Sequence, residues 1–216
     1  RMGEQPSHVH VTGAPGLDGL ATTERAARDA VCARHGFDPA RPLALMVFHP
    51  VLQEAASAAG EALAILDALS AQGVQTVALM PNSDAGSQGV RDVLARAAGT
   101  PGLAVETHLP RDRFLDVMAR ADVMVGNSSA GIIEAASFGT PVINIGRRQN
   151  LRERNGNVVD IASAAAELTD VLGRVLSSGR YAPANIYGDG HAGERIAALL
   201  AGYELTPELL MKVNAF

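Results

Sequence analysis

An α/β fold built on a doubly wound, mostly parallel sheet is what this sequence predicts, and three observations predict it. Short Val- and Ile-rich runs recur along the 216 residues. Most lack the polar alternation of a half-exposed strand, which marks strands covered on both faces. Each run is followed by a polar or glycine turn and then a helical pattern. That β-α-β-α alternation, with right-handed crossovers, puts helices on both sides of an open sheet.

The elements follow in order. The first strand run is 8–13, where His8 and His10 alternate with valine. An alanine-rich helical stretch then carries Cys32, the single cysteine, which suits a small buried position and excludes a disulfide framework within the chain. Residues 43–49 read as a strand. From 53 to 72 the apolar positions Ala55, Ala59, Ala62, Leu66 and Leu69 sit at helical spacing, with Gly73 as the stop. Residues 75–80 form the next strand, and 89–98 a helix carrying Val90, Val93, Leu94 and Ala97, stopped by Gly99. Strands are expected at 103–108, 123–126, 142–145 and 158–161. Ser163 reads as the N-cap of a helix with Leu168, Val171, Leu172, Val175 and Leu176, ended by Gly179. Thr206-Pro207 starts a last helix through Leu209, Leu210 and Val213. No repeat, low-complexity block or long linker interrupts the series, so residues 1–216 read as a single domain.

Composition narrows the function. Hydrophobic residues make up 47% and aromatics only 4%, so alanine and aliphatic side chains must fill the core. The net charge of −5 comes without a basic stripe, and stacking aromatics are scarce, which excludes a nucleic-acid surface. A phosphate ligand stays open wherever donors are concentrated locally. No signal peptide is seen, and no apolar run approaches the ~20 residues of a spanning helix, so a cytoplasmic protein without a membrane partner is expected. The histidines show no metal-ligand spacing, and no metal is assigned. Dinucleotide, P-loop and nucleophile-elbow motifs are absent.

Ligands on such sheets bind beyond the carboxyl ends of the strands, and four loops there carry chemistry. The first is Gly126-Asn127-Ser128-Ser129-Ala130-Gly131. A strand ends, small residues turn, and a helix starts whose unpaired N–H groups and partial positive charge suit a diphosphate. The Ser128 and Ser129 hydroxyls add donors, Gly126 and Gly131 allow close approach, and Glu134, about one and a half turns on, can accept two hydrogen bonds from a ribose diol. Spacing alone fits equally a helix merely capped by Ser128 with Glu134 facing water. The second is Phe48-His49-Pro50, where His49 can donate to phosphate or transfer a proton near neutral pH, or simply cap its own loop. The third, Pro81-Asn82-Ser83-Asp84-Ala85-Gly86-Ser87, is by itself ordinary turn chemistry. The fourth, Gly146-Arg147-Arg148-Gln149, offers a guanidinium fork for phosphate or a solvated basic turn. A single phosphate-containing ligand would explain all four together.

The run from Gly126 to Ala135, then Ser137-Phe138-Gly139-Thr140-Pro141-Val142-Ile143-Asn144-Ile145-Gly146 and Arg148-Gln149, is similar to the hydrolysing UDP-N-acetylglucosamine 2-epimerases of the sialic-acid-pathway type. Val11-Thr12-Gly13-Ala14-Pro15-Gly16-Leu17-Asp18 and Tyr187-Gly188-Asp189-Gly190-His191-Ala192 resemble further motifs of that family, in the same order. The resemblance implies the C-terminal, Rossmann-like half of a glycosyltransferase-B-type fold. It also implies elimination of UDP across C1–C2 of the sugar followed by hydration to N-acetylmannosamine, with no cofactor. Ser128, Ser129 and Gly131 would then hold the diphosphate, Glu134 the ribose, and Arg148 the phosphate charge. His49 would be the catalytic group beside diphosphate and sugar, while Asn82 and the backbone near Leu109 line the nucleotide pocket. The family's acid/base carboxylates belong to an N-terminal half that precedes the Val-Thr-Gly motif and is absent here. The fragment alone is therefore expected to be inactive, with that half as its partner, a homo-oligomeric parent, and residues 203–216 as a helix that either returns to it or packs on its own domain.

The resemblance leaves competing functions. A non-hydrolysing 2-epimerase would carry an arginine-rich His-Arg-Arg-Glu-Asn-like segment where this chain has His49-Pro50-Val51. An acceptor-using glycosyltransferase of the same fold and a non-enzymatic nucleotide-sugar-binding module are the others.

Overall fold

The computed structural model describes residues 6–20 and 22–204. The chain divides into two compact units. The larger spans Glu24–Ile186, and the smaller joins Arg1–Thr23 to Tyr187–Phe216.

The larger unit is a six-stranded sheet of β1 (Leu43–Val47), β2 (Gln75–Leu79), β3 (Leu103–Glu106), β4 (Val123–Gly126), β5 (Val142–Ile145) and β6 (Val158–Ile161). The order is β3-β2-β1-β4-β5-β6, and every pairing is parallel. The doubly wound fold expected from the sequence is thus present, with all rather than most pairings parallel. Strands β2 and β3 lie on one side of β1 and the later three on the other, so the winding reverses between β1 and β4. In open sheets of this kind ligands bind at the carboxyl end of such a junction.

Helices α2 (Ala58–Ala71), α3 (Ser87–Ala97) and α6 (Ala164–Ser178) pack on one face of the sheet. Helices α1 (Arg28–Arg34), α4 (Arg111–Arg120) and α5 (Ser129–Ile133), with a 3₁₀ turn at Ala135–Phe138, cover the other. Strand β1 is buried from end to end. Ala44 and Met46 join the first core, while Leu43, Leu45 and Val47 join the second. This two-sided burial is why the strand shows no polar alternation. Cys32 lies on the buried face of α1, as its alanine-rich surroundings suggest.

Several local expectations need correction. Residues 8–13 are not a strand. Pro6–His8 is a 3₁₀ turn, the chain after it is irregular, and Val9 N–H bonds back to Pro6 O at 3.2 Å. A strand needs a neighbour, and alternation alone does not supply one. The stretch expected as one helix over 53–72 opens with a separate 3₁₀ turn, Leu52–Glu54, before α2 begins. The buried stripe of α2 is Ala58, Ala62, Ile65, Ala68 and Leu69. Ala59 and Leu66 pack only at its edge. Ser163 does precede α6, but its side chain does not cap the helix. Instead Glu61 on α2 accepts from Ser163 Oγ and from Ala164 N–H, both at 2.7 Å, so one helix caps another.

In the smaller unit, α7 (Ala192–Gly202) is capped by the Asp18 carboxylate, which accepts from the N–H groups of Ala192 and Gly193 at 2.9 and 2.6 Å. Ala14 N–H bonds to Tyr187 O at 2.8 Å, and Arg195 forks onto Asp189 at 2.7 and 2.6 Å. The two motifs at opposite ends of the sequence therefore build one small fold. The last helix expected from Thr206-Pro207, with Leu209, Leu210, Val213 and Phe216, lies outside the described residues. No described helix is long and apolar enough to cross a membrane.

Candidate functional site

The site forms where the winding reverses. β1 and β4 pair as far as Val47 and Gly126. Gly126 has φ +138°, and a Cβ built on it would stand 2.1 Å from Val47 O. Only glycine fits so close an approach. Its hydrogen turns toward β1, so Gly126 serves strand packing rather than access for a ligand. Past it, Asn127 N–H bonds to Val47 O at 3.1 Å. Asn127 is 4% exposed. Its Oδ1 accepts from His49 N–H at 2.8 Å, and its Nδ2 donates to His49 O at 2.7 Å. Asn127 O accepts from Arg148 Nη1 at 3.2 Å and from Gln149 Nε2 at 2.9 Å. One buried residue thus ties together the loops after β1, β4 and β5.

Ser128 is the N-cap of α5, in extended backbone (φ −75°, ψ 142°), and its Oγ accepts from Ala130 N–H at 3.3 Å. The capping reading left open by the sequence is therefore realised. It is compatible with a cradle, because a hydroxyl that accepts in a cap still has a proton to donate outward. Ser128 and Ser129 are both half-buried. Gly131 departs from expectation. It is buried, its N–H is turned to Ser128 O at 3.1 Å, and a Cβ there would meet Val142 Cγ1 at 3.0 Å. Its missing side chain lets α5 lie on the sheet and leaves no surface for a ligand.

His49 follows β1 directly and is half-buried. Asn82 N–H donates to its Nδ1 at 3.2 Å. With Nδ1 an acceptor, the proton of the neutral ring sits on Nε2. Burial lowers the His49 pKa, the nearby Arg148 cation lowers it further, and Asp84 opposes both. The structure thus presents a neutral imidazole with an Nε2–H donor. The Asn82 side chain is engaged in its own loop, donating to Asp84 Oδ2 at 2.5 Å while Asp84 N–H returns to Asn82 Oδ1 at 3.3 Å. That is the turn chemistry its sequence suggested, and the backbone N–H is what reaches His49.

Glu134 is not a residue along a continuing helix. α5 stops at Ile133, and Glu134 stands at the junction with the 3₁₀ turn. Its side chain is only 16% exposed, and its Oε2 accepts from Arg111 Nη1 at 2.7 Å. Burial raises its pKa, and the charge and hydrogen bond of Arg111 pull the other way. Arg111 opens α4, immediately after the loop that holds Leu109. Leu109 itself is a buried core residue in the loop after β3, so only its backbone could meet a ligand.

His49, Asn82, Leu109, Ser128, Ser129, Glu134 and Arg148 all follow strand carboxyl ends and share one rim. Asn127, Gln149 and Arg111 have parts there that the sequence reading did not assign. Asn127 and Gln149 lay inside the quoted motifs. Arg111 was betrayed only by Pro110 and the Phe114, Leu115, Met118 spacing of α4. Among the described residues, no group of three His, Cys, Asp or Glu side chains could hold a metal ion.

Fold and rim together define a Rossmann-like α/β domain of the kind that forms half of a glycosyltransferase-B-type architecture. Residues 1–201 match the family model described as UDP-N-acetylglucosamine 2-epimerase, and the chain belongs to that family. It is 40% identical, over its whole length and 57% of the relative's, to the UDP-N,N'-diacetylbacillosamine 2-epimerase (hydrolyzing) of Legionella pneumophila. To the UDP-N-acetylglucosamine 2-epimerase of Neisseria meningitidis serogroup B it is 28% identical over 190 residues, covering 88% of this chain and 50% of that protein. The crystal structure of the Neisseria meningitidis UDP-GlcNAc 2-epimerase bound to UDP-GlcNAc superposes with a TM-score of 0.71 at 18% identity, over 93% of this chain and 57% of that one, and shows the same fold. The chain spans about half the length of the curated relatives it matches.

Proposed function

We propose that this chain is the UDP-binding half of a hydrolysing UDP-N-acetylglucosamine 2-epimerase of the sialic-acid-pathway type, converting UDP-GlcNAc and water to N-acetylmannosamine and UDP. One observation carries the reading: two serines opening a helix, a cation at Arg148 and a neutral His49 share the rim of the sheet's switch point. The name of the 40% identical relative, which includes "hydrolyzing", supports the hydrolytic outcome.

In this reading the first-turn N–H of Ser129 and the two serine hydroxyls receive the diphosphate, and Arg148 offsets its charge. Glu134, one oxygen held by Arg111, receives the ribose hydroxyls with the other. Asn82 and the Leu109 backbone border the base. His49 Nε2–H points its proton at the leaving diphosphate oxygen. A base removes the C2 proton while the C1–O bond breaks toward UDP, leaving a C1–C2 double bond. Water then gives hydroxide to C1, and C2 takes a proton on the opposite face. Taking and returning that proton falls to carboxylates in the remainder of the parent. The chain alone therefore binds UDP weakly and does not turn over. The parent is cytoplasmic and a homo-oligomer.

Calorimetric titration of UDP into wild type, Ser128→Ala and Glu134→Ala tests the site. Tenfold or greater weakening in each variant is expected, and equal affinity in all three refutes it. For the parent, free N-acetylmannosamine is the expected product. An epimeric UDP-sugar or a glycosylated acceptor would overturn the hydrolytic assignment.

A further inference from the structure

We propose that Asn127 is the positioning residue of this site, fixing through one buried side chain and its own carbonyl where the His49 imidazole and the Arg148 guanidinium stand. The inference rests on reading the rim as the UDP-sugar site.

The geometry follows from how the ladder ends. The ladder between β4 and β1 ends with the bond from Asn127 N–H to Val47 O, one step short of the His49 peptide groups. The Asn127 carboxamide takes over. A primary amide presents its C=O and one N–H side by side, which a trans peptide cannot do. It can therefore hold both polar groups of one residue, and here it holds the N–H and the C=O of His49 at 2.8 and 2.7 Å. With the His49 backbone pinned and Nδ1 taken by Asn82 N–H, the direction of Nε2–H is set. The Asn127 carbonyl acts on the other side, taking Arg148 Nη1 and Gln149 Nε2. Apart from its ladder bond to Val47 O, every polar group of Asn127 ends on a residue of the rim loops. At 4% exposure it can hardly meet a ligand itself. Its effect on binding must pass through His49 and Arg148.

Asn127→Asp is the discriminating change. It keeps the shape and the acceptor for His49 N–H. The donor to His49 O becomes a second oxygen facing an oxygen, with a negative charge beside the imidazole. The expected results are UDP binding weakened at least tenfold and a His49 ring titration, read from imidazole ¹⁵N–¹H spectra, moved to higher pH. Combined with His49→Ala, Asn127→Asp should add less than its full single-variant factor, since part of its effect acts through that ring. Gln149→Met removes a donor to the Asn127 carbonyl at similar side-chain length. It should weaken UDP two- to fivefold, and it decides the matter if Asn127→Asp does not fold. The proposal is overturned if UDP affinity and the His49 titration both stay at wild-type values, or if the Asn127→Asp and His49→Ala effects multiply in full. Failure of the wild type to bind UDP would sink the reading of the rim instead, and the imidazole titration would still decide the clasp.

Discussion

Replacing Gly126 by alanine should cost this protein far more than one methyl group suggests. A Cβ at that position stands 2.1 Å from Val47 O and 2.6 Å from Val47 C. A carbon and a carbonyl oxygen rest at about 3.3 Å or more, so β1 and β4 would have to part by roughly 1.2 Å. The obstacle is backbone on a central strand, and it cannot rotate away. Alanine at φ +138° adds about 1–3 kcal/mol of strain. Overpacking adds about 1–3 kcal/mol, and loss of the Asn127 N–H to Val47 O bond about 1 kcal/mol. The total, roughly 3–7 kcal/mol, is a large share of the ~5–15 kcal/mol that holds a domain together. Gly131→Ala is the control. Its Cβ meets Val142 Cγ1, the end of a side chain, at 3.0 Å, its φ is not positive, and helix propensity returns about 1 kcal/mol. Urea unfolding followed by circular dichroism should show a loss of at least ~3 kcal/mol for Gly126→Ala and under ~1.5 kcal/mol for Gly131→Ala. If Gly126→Ala lay within ~1 kcal/mol of wild type, or cost no more than the control, the reasoning about the switch point would be wrong.

Other perturbations test other parts of the rim. Because the fold lowers the His49 pKa, the unfolded chain binds more protons between that value and about 6.5. Stability contributed by His49 is therefore full above about pH 6.5 and is lost as pH falls through the window. His35 shifts in the same direction, so the wild-type slope of stability against pH should flatten, not vanish, in His49→Gln. Parallel curves for the two proteins would refute the assignment. Arg111→Leu leaves the mostly buried Glu134 carboxylate without its cation, at a cost of about 1 kcal/mol at pH 7, kept small because Arg111 is half-exposed. Protonation of Glu134 should shrink that penalty at pH 4, and an equal penalty at both pH values would count against it. Leu151 is fully exposed and held at φ +66°. Leu151→Gly relieves about 1–2 kcal/mol of strain against about 0.5–1 kcal/mol of added chain entropy. A net gain near ~0.5 kcal/mol in thermal unfolding is expected, and a loss of that size would refute it.

What could be read from the sequence was what depends on near neighbours. All six strands and the cradle turn announce themselves because Val and Ile runs and small-residue turns are local signals. Residues 8–13 misled because alternation suggests a strand but pairing is not encoded in the run itself. The end of α5 was hidden for a related reason. Ile132, Ile133 and Ala135 continue a helical pattern, and only Gly139, turning the backbone at φ +66°, closes the 3₁₀ turn that replaces the next helical turn. Asn127 was in plain view within the motif, yet its partner His49 lies 78 residues away. Nothing in either segment says that one carboxamide will bind both polar groups of the other. Glu61 capping α6 from α2 belongs to the same class.

The rim's electrostatics also sort the steps of the proposed reaction. Its charged acceptors are already engaged: Glu134 by Arg111, and Asp84 by Asn82. His49 is kept neutral, with Nδ1 occupied and the ring proton on Nε2. Such a surface can attract a diphosphate and stabilise the charge that grows on it as the C1–O bond breaks, which is work for donors and cations set in advance. Proton abstraction from a sugar carbon needs the opposite, an ionised acceptor free to take a proton. The same burial that holds His49 neutral makes it a poor candidate for a permanently charged phosphate clamp, so that share falls to Arg148. The two roles would separate in variants of the full-length parent. Removing Arg148 should raise KM more than it lowers kcat, since its charge meets the diphosphate in the ground state as well. Removing the His49 donor should act mainly on kcat, because its hydrogen bond strengthens only as the leaving oxygen becomes negative.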